Sequence, residues 1–327
     1  MKAVQFRTAG GPETLTVEEL PCPEPQSGEV LIRVAGAGLN RADSLQRRGR
    51  YNLPPGASDI FGMEVSGTIA EVGAGVSGFE PGSHVMALLA SGGYAEYVAV
   101  DAGHVLPVPE GMDLLEAAGI PEVAATLVSN VCGAGRYAPG ETVLIHGATG
   151  GIGVFGIQLI KAMGGRVAVT ASTGEKLEAA RKLGADILIN YTEEDFAARM
   201  AAEGGADIIL DTVGGPYLNR NVEALAPFGR IVTIGMQGGV EGSLNFAALM
   251  RKKASVAGTL LRDRSPEQKT QIMAEVKRLV LPFLENGDIR TVTERVYPLS
   301  DVAAAHAFFE TKGHVGKVLL DCSGTTS

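Results

Sequence analysis

Three sets of residues in this chain have the chemistry to do something specific. The first is a run of glycines, Gly147, Gly150, Gly151, Gly153 and Gly156, within Glu141-Thr-Val-Leu-Ile-His-Gly-Ala-Thr-Gly-Gly-Ile-Gly-Val-Phe-Gly156. Glycines let a backbone come close to a pyrophosphate, and a helix starting there points unpaired N–H groups at the negative charge. The second is a hydroxyl and an ammonium, Ser172 and Lys176, soon after the glycines. The third is Asn40, Asp43 and Tyr51 in the first sixty residues, an amide, a carboxylate and a phenol. A dinucleotide held by the first two sets would make the third set candidates for handling whatever it reacts with.

The elements that must position these residues follow from the pattern of apolar runs. Pro139-Gly140 delivers the chain into Val143-Leu-Ile145, a short run typical of a strand buried on both faces, and Gly164-Gly165 stops the helix that follows the glycines. Strand, glycine turn and helix form the context a dinucleotide fingerprint requires. Gly151-x-Gly153-x-x-Gly156 fits the bare pattern, while Gly147 to Gly153 is one residue wider than the commonest spacing. Strand-like runs at 142–146, 166–171, 186–190, 206–211, 229–234 and 254–258 alternate with helical segments such as Glu175 to Leu183 and Glu194 to Ala202. That alternation predicts a doubly wound, six-stranded parallel sheet. Residues 1 to 120 read instead as short strands broken by Gly and Pro, a compact and partly barrel-like β domain. A long helix is predicted from Pro266 to Asn286, and the tail to residue 327 reads as strand, helix, strand returning to the first domain.

Composition narrows the function classes. At 327 residues the chain suits about two domains, and its net charge of −9 argues against nucleic acid or anionic membrane as a partner. Cys22, Cys132 and Cys322 are scattered without C-x-x-C spacing, as expected of a soluble protein in a reducing cytoplasm. His84, His104, His146, His306 and His314 are too dispersed to suggest a metal cluster.

Several spaced motifs carry a family resemblance. Pro139-Gly-Glu-x-Val-Leu-Ile145, Gly150-Gly-Ile-Gly153, Lys182-Leu-Gly-Ala-Asp186 and Gly316-Lys-Val-Leu-Leu320 occur in order, after Gly38-x-Asn40-x-x-Asp43 and Gly62-x-Glu64-x-x-Gly67. Together they resemble the medium-chain dehydrogenase/reductase superfamily, and within it the zinc-free quinone oxidoreductases. Asn40-Arg-Ala-Asp43, Pro54-Pro-Gly-Ala-Ser58 and Leu260-Leu-Arg262 resemble the p53-inducible quinone oxidoreductase branch. The resemblance implies a GroES-like domain over residues 1–120, a Rossmann domain over 121–262 that binds NADPH, and a return to the first domain over 263–327. Zinc-dependent relatives carry Cys at the position of Asn40 and His at that of Met63, and the lobe of four close cysteines is missing, so no metal is expected.

The cofactor and site follow in the same terms. An NAD site would place Asp or Glu about 20 residues after the glycine turn. Here that strand ends Val167-Ala-Val-Thr-Ala-Ser172, and Ser172 with Lys176 suits a 2′-phosphate, although Lys176 also reads as a solvated helix residue. By resemblance Tyr191 joins them, and Gly150, Gly151 and Ile152 take the pyrophosphate. Thr126 is placed at the carboxamide, with Gly235, Met236, Gln237, Leu260 and Arg262 lining the nicotinamide pocket. For Arg262 a surface salt bridge is the plainer alternative. Asn40 has an amide N–H to donate to a ribose or a carbonyl oxygen, or a helix to cap. Tyr51 can stack on a planar acceptor, donate its O–H or simply pack the Pro-rich loop. For Asp43 an ion pair with an arginine competes with a place near the cofactor. Hydride transfer from NADPH to a quinone needs no strong acid, because the hydroquinone anion takes protons from solvent. An alkenal or enoyl double-bond reductase and a low-turnover NADPH-binding protein are the alternatives. A homodimer through Ala254-Ser-Val-Ala-Gly258 is expected, since an apolar edge strand invites its own copy.

Overall fold

The structure is a computed structural model in which residues 1–311 and 313–324 are described. The chain divides into two units, one of Met1–Ala125, Arg262–Glu285 and Thr291–Ser327, the other of Thr126–Leu261 and Asn286–Arg290.

The spine of the first unit is the strand Glu29–Gly38. Its Val30, Ile32 and Val34 alternate with less buried residues and lie within the core with Phe61, Val65 and Leu320, as period-two side chains of a half-buried strand should. Glu64–Val72 pairs antiparallel along it, while Tyr97–Asp101 takes its first half and Lys317–Asp321 its second. The sheet runs Thr293–Pro298, Lys317–Asp321, Glu29–Gly38, Glu64–Val72, His84–Leu88, Val105–Pro107, with Tyr97–Asp101 branching from Glu29–Gly38. A seven-residue helix, Arg41–Arg47, leaves the end of the spine with Asn40 at its N-cap position.

The second unit is a six-stranded parallel sheet in the order Ile187–Asn190, Arg166–Ala171, Thr142–His146, Ala206–Asp211, Leu225–Thr233, Ser255–Gly258. Val143, Leu144 and Ile145 are fully buried, because helices cover both faces of a doubly wound sheet. Strand order reverses between Thr142–His146 and Ala206–Asp211, and at such switch points open α/β sheets bind ligands. Among the described residues no helix is long and apolar enough to cross a membrane.

Two elements differ from expectation. The fifth strand starts at Leu225 rather than 229, running through Pro227-Phe-Gly229 with a register shift and a left-handed Phe228 at φ 65°. Pro and Gly read as strand breakers in sequence, but here they form an irregularity that the sheet absorbs. The long helix expected over 266–286 is two helices, Pro266–Leu279 and Leu281–Glu285. Pro282, just beyond the break, has no N–H to continue the ladder.

Candidate active site

In the first unit a buried polar network is built around Asn40. Glu64 is fully buried on its strand, and its Oε1 accepts Lys317 Nζ at 2.5 Å and Asn40 Nδ2 at 2.8 Å. Its Oε2 accepts the Glu122 backbone N–H at 2.9 Å. Lys317 also donates to Asn40 Oδ1 at 3.0 Å and to the Leu39 carbonyl at 3.4 Å. A buried ion pair persists only when its remaining donors and acceptors are satisfied in this way. Gly38 makes room for it, since a Cβ there would lie 2.2 Å from the Glu64 carboxylate.

The network fixes which way the Asn40 amide faces. Nδ2 must meet the carboxylate and Oδ1 the ammonium, and the second amide hydrogen goes to the Gly38 carbonyl at 3.3 Å. Both amide hydrogens are thus spent inside the unit, so Asn40 has none left to donate to a carbonyl.

One turn further, the Asp43 carboxyl is fully buried and uses Oδ2 to accept the Asn40 backbone N–H at 2.8 Å and the Tyr94 hydroxyl at 2.9 Å. Its Oδ1 lies 3.8 Å from Arg262 Nη2, too far for a hydrogen bond but close enough for strong Coulombic attraction. Arg262 is 3% exposed, which corrects the surface salt bridge entertained from sequence. Its Nη1 donates to Gln46 Oε1 at 2.9 Å, and its guanidinium carbon sits 4.9 Å from the centre of the Tyr51 ring, cation–π range. Burial pushes the Tyr51 hydroxyl above its ordinary pKa against the pull of Arg262, so it stays protonated and able to donate.

Burial also lifts Asp43 to about 6, with Arg262, the Asn40 N–H, Tyr94 and Lys317 opposing the rise. A carboxyl whose native pKa exceeds its unfolded value near 3.8 holds a proton that the unfolded chain has released. Its contribution is therefore most favourable below about pH 4 and is lost as pH rises through 6, about 3 kcal/mol in all. Measured against Asp43→Asn, the stability of the unaltered chain should fall by about that amount over this window. A difference that does not change with pH would show that Asp43 titrates as in the unfolded chain.

The glycine turn of the second unit follows the strand Thr142–His146 and opens the helix Gly151–Ala162. Gly147 has φ 96°, a conformation that favours glycine. A Cβ on Gly150 would meet nothing within 4 Å, whereas one on Gly153 would lie 2.1 Å from the Gly147 carbonyl oxygen. Tight turn, open approach and close approach of helix to turn thus fall on Gly147, Gly150 and Gly153, while a Cβ on Gly156 would lie 2.8 Å from Ile145 Cδ1 of the strand. Open space over a helix N-terminus is what a pyrophosphate needs, and Gly150, Gly151 and Ile152 stand there.

Ser172 and Tyr191 follow the two strands next in line, and the Tyr191 N–H donates to the Ala171 carbonyl at 3.1 Å, so these two strand ends are adjacent. Lys176 lies in the first turn of Gly174–Lys182, half-buried, while Glu175 beside it is exposed. Tyr191, Met236 and Leu260 are 43%, 59% and 48% exposed, so their apolar surface is open to a ligand. Gly235 and Gln237 follow the fifth strand, and Thr126 is buried on the helix Pro121–Leu127. Among the described residues no group of three or more His, Cys, Asp or Glu is placed to hold a metal ion.

Sequence reasoning missed Glu64, Lys317 and Tyr94 as parts of the site. Two of them sat in plain view inside the motifs Gly62-x-Glu64-x-x-Gly67 and Gly316-Lys317, and an unexplained charge inside a strand motif was the available signal.

Residues 26–110 match the alcohol dehydrogenase GroES-like domain family, and residues 151–278 the zinc-binding dehydrogenase family. The quinone oxidoreductase of Sus scrofa is 32% identical over 330 residues and that of Rattus norvegicus 30% over 326, each alignment covering 98% of this chain and 97% of the relative. Among solved structures, an NAD-dependent alcohol dehydrogenase is 33% identical with a TM-score of 0.85, covering 98% of this chain and 99% of its own. Escherichia coli quinone oxidoreductase complexed with NADPH is 26% identical with a TM-score of 0.87 (98% and 100% covered). The CurK enoyl reductase is 26% identical with a TM-score of 0.86 (98% of each). With both units accounted for and relatives aligned over nearly their whole length, the chain belongs to the quinone oxidoreductase family of the medium-chain dehydrogenase/reductase superfamily.

Proposed function

We propose that this protein reduces a quinone with NADPH, without a metal. The observation that carries the cofactor choice is the group at the strand ends beside the glycine turn: Ser172, Lys176 and Tyr191, with no carboxylate ending the strand Arg166–Ala171. A carboxylate there would bond a ribose hydroxyl and repel a 2′-phosphate, while a hydroxyl and an ammonium favour the phosphate. NADPH, when bound, supplies the hydride.

The chain's own residues bind and orient. Gly150, Gly151 and Ile152 receive the pyrophosphate at the helix N-terminus, and Thr126, Gly235, Met236, Gln237 and Leu260 line the nicotinamide. In the first unit a ligand hydroxyl would share Asn40 Oδ1 with Lys317 and the helix start. Tyr51, braced by Arg262, offers its ring face and O–H to a planar acceptor, with Asp43 as the counter-charge of Arg262. The metal-free reading is supported by Lys317, whose ammonium already lies on the Glu64 carboxylate and the Asn40 amide, where it would repel a divalent cation.

The test is NADPH oxidation by the purified protein with 1,2-naphthoquinone, 1,4-benzoquinone and a 2-alkenal, with NADH run alongside. Quinone turnover with preference for NADPH is the expected result. Turnover of the alkenal alone would favour the double-bond reductase that the CurK likeness suggests. In that chemistry a proton must reach carbon, so Tyr51→Phe would abolish turnover. Binding of NADPH without turnover would favour the low-turnover NADPH-binding protein. Chelators should leave quinone turnover untouched, and a loss restored by added zinc would overturn the metal-free reading. We also propose a homodimer through the edge strand Ser255–Gly258, whose Val256 is 40% exposed, to be checked by sedimentation.

A further inference from the structure

We infer that His146 is a positioning residue for the glycine turn: as the neutral Nε2–H tautomer it ties the turn to the neighbouring strand Arg166–Ala171 and to the helix Leu218–Ala224, and so sets the affinity for the nucleotide. The inference rests on the reading that this unit binds NADPH.

His146 is the last residue of its strand, immediately before Gly147, and is 1% exposed. Its backbone carbonyl accepts the Thr212 hydroxyl at 3.0 Å, from the loop after Ala206–Asp211. Its ring reaches in two other directions. Nε2 lies 2.8 Å from Asn221 Oδ1 on the helix Leu218–Ala224, and Nδ1 lies 3.1 Å from Thr170 Oγ1 on the strand Arg166–Ala171. The rings of Phe196 and Tyr217 meet the imidazole edge-on at 4.8 and 5.0 Å and keep water away from it.

With Asn221 turning Oδ1 to the ring, the atom facing Nε2 can only accept, so Nε2 carries the hydrogen. Nδ1 is then a lone pair, and the single hydroxyl hydrogen of Thr170 must point to it. That leaves Thr170 Oγ1 as an acceptor, and the Gly147 N–H approaches it at 3.4 Å. The Thr170 carbonyl accepts the N–H groups of Gly147 and Ala148 at 3.3 and 3.1 Å. The sequence Asn221, His146, Thr170, Gly147 is thus a directed chain of hydrogen bonds ending on the backbone of the turn, one residue from the strand and three before the open approach at Gly150.

Burial, with the nearby Arg220 charge adding to it, pulls His146 down to about 4, consistent with a neutral ring. A second proton would set an N–H against the hydroxyl hydrogen of Thr170, so that hydroxyl would have to rotate and Oγ1 accept instead.

The test combines the tautomer with the affinity. Long-range proton–nitrogen NMR of the full chain at neutral pH should show His146 as the Nε2–H tautomer. Equilibrium titration with NADPH should show His146→Leu binding about tenfold more weakly. His146→Gln, which keeps a donor for Asn221 and an acceptor for Thr170, should bind within about threefold of the unaltered chain. An Nδ1–H tautomer or an imidazolium overturns the inference, and so does His146→Leu binding undiminished. Should His146→Leu fail to fold, Thr170→Val removes only the hydroxyl that Nδ1 uses, with a loss of about threefold expected and undiminished binding overturning the inference. If the unaltered chain binds neither NADPH nor NADH, the functional reading fails and this inference with it. Failure of the variants alone leaves that reading standing.

Discussion

Lys317→Met destabilises the unit that contains it by about 3–5 kcal/mol at neutral pH. Glu64 is fully buried, and the Lys317 ammonium at 2.5 Å is its counter-charge. Methionine fills much of the lysine volume, so the loss measures the stranded carboxylate and the orphaned Asn40 Oδ1 rather than a cavity. Glu64→Gln combined with Lys317→Met should recover more than half of it, because both charges are then gone. Scanning calorimetry reads this directly, with the transitions of the two units separated. A deficit below about 1 kcal/mol would mean that the pair contributes little and that Asn40 is oriented by something else.

Lys176→Ala should weaken NADPH roughly ten- to hundredfold while changing NADH less than about twofold. The two nucleotides differ only in the 2′-phosphate, so the ratio isolates the ammonium–phosphate contact from everything else the unit does. Lys176 is half-buried, so the contact is screened, and the preference for NADPH should narrow with added salt in the parent and not in the variant. Equal losses for both nucleotides would remove the 2′-phosphate from the account and return Lys176 to the role of a helix residue.

How much of this was legible depended on how local each feature is. The parallel strands were readable because each is buried on both faces and appears as an uninterrupted apolar run between turn residues, as at Val143-Leu-Ile145. Asn40 was readable as a helix start for the same local reason. What its side chain does was not, because its partners lie at Glu64 and Lys317, 24 and 277 residues away. Arg262 looked like a surface residue in its charged stretch, and only tertiary folding buries it beside Asp43 and Tyr51. The glycines were recognised as a group, yet their division of labour depends on which Cβ would collide, and spacing cannot show that.

The pairing of Glu64 with Lys317 also bears on the order in which the molecule can be made. The two are 253 residues apart, and Lys317–Asp321 is an inner strand flanked by Thr293–Pro298 and Glu29–Gly38. A ribosome releases the early strands of that sheet long before this one. The glycine-turn unit, drawn mainly from one continuous stretch, has nearly all it needs much sooner. In the interval Glu64 has neither its ammonium nor a closed sheet around it, and one edge of the second half of Glu29–Gly38 is unpaired. The nascent chain is thus expected to wait with one unit formed and the other open, its exposed strand edge the point at which a chaperone or a second nascent chain would find it.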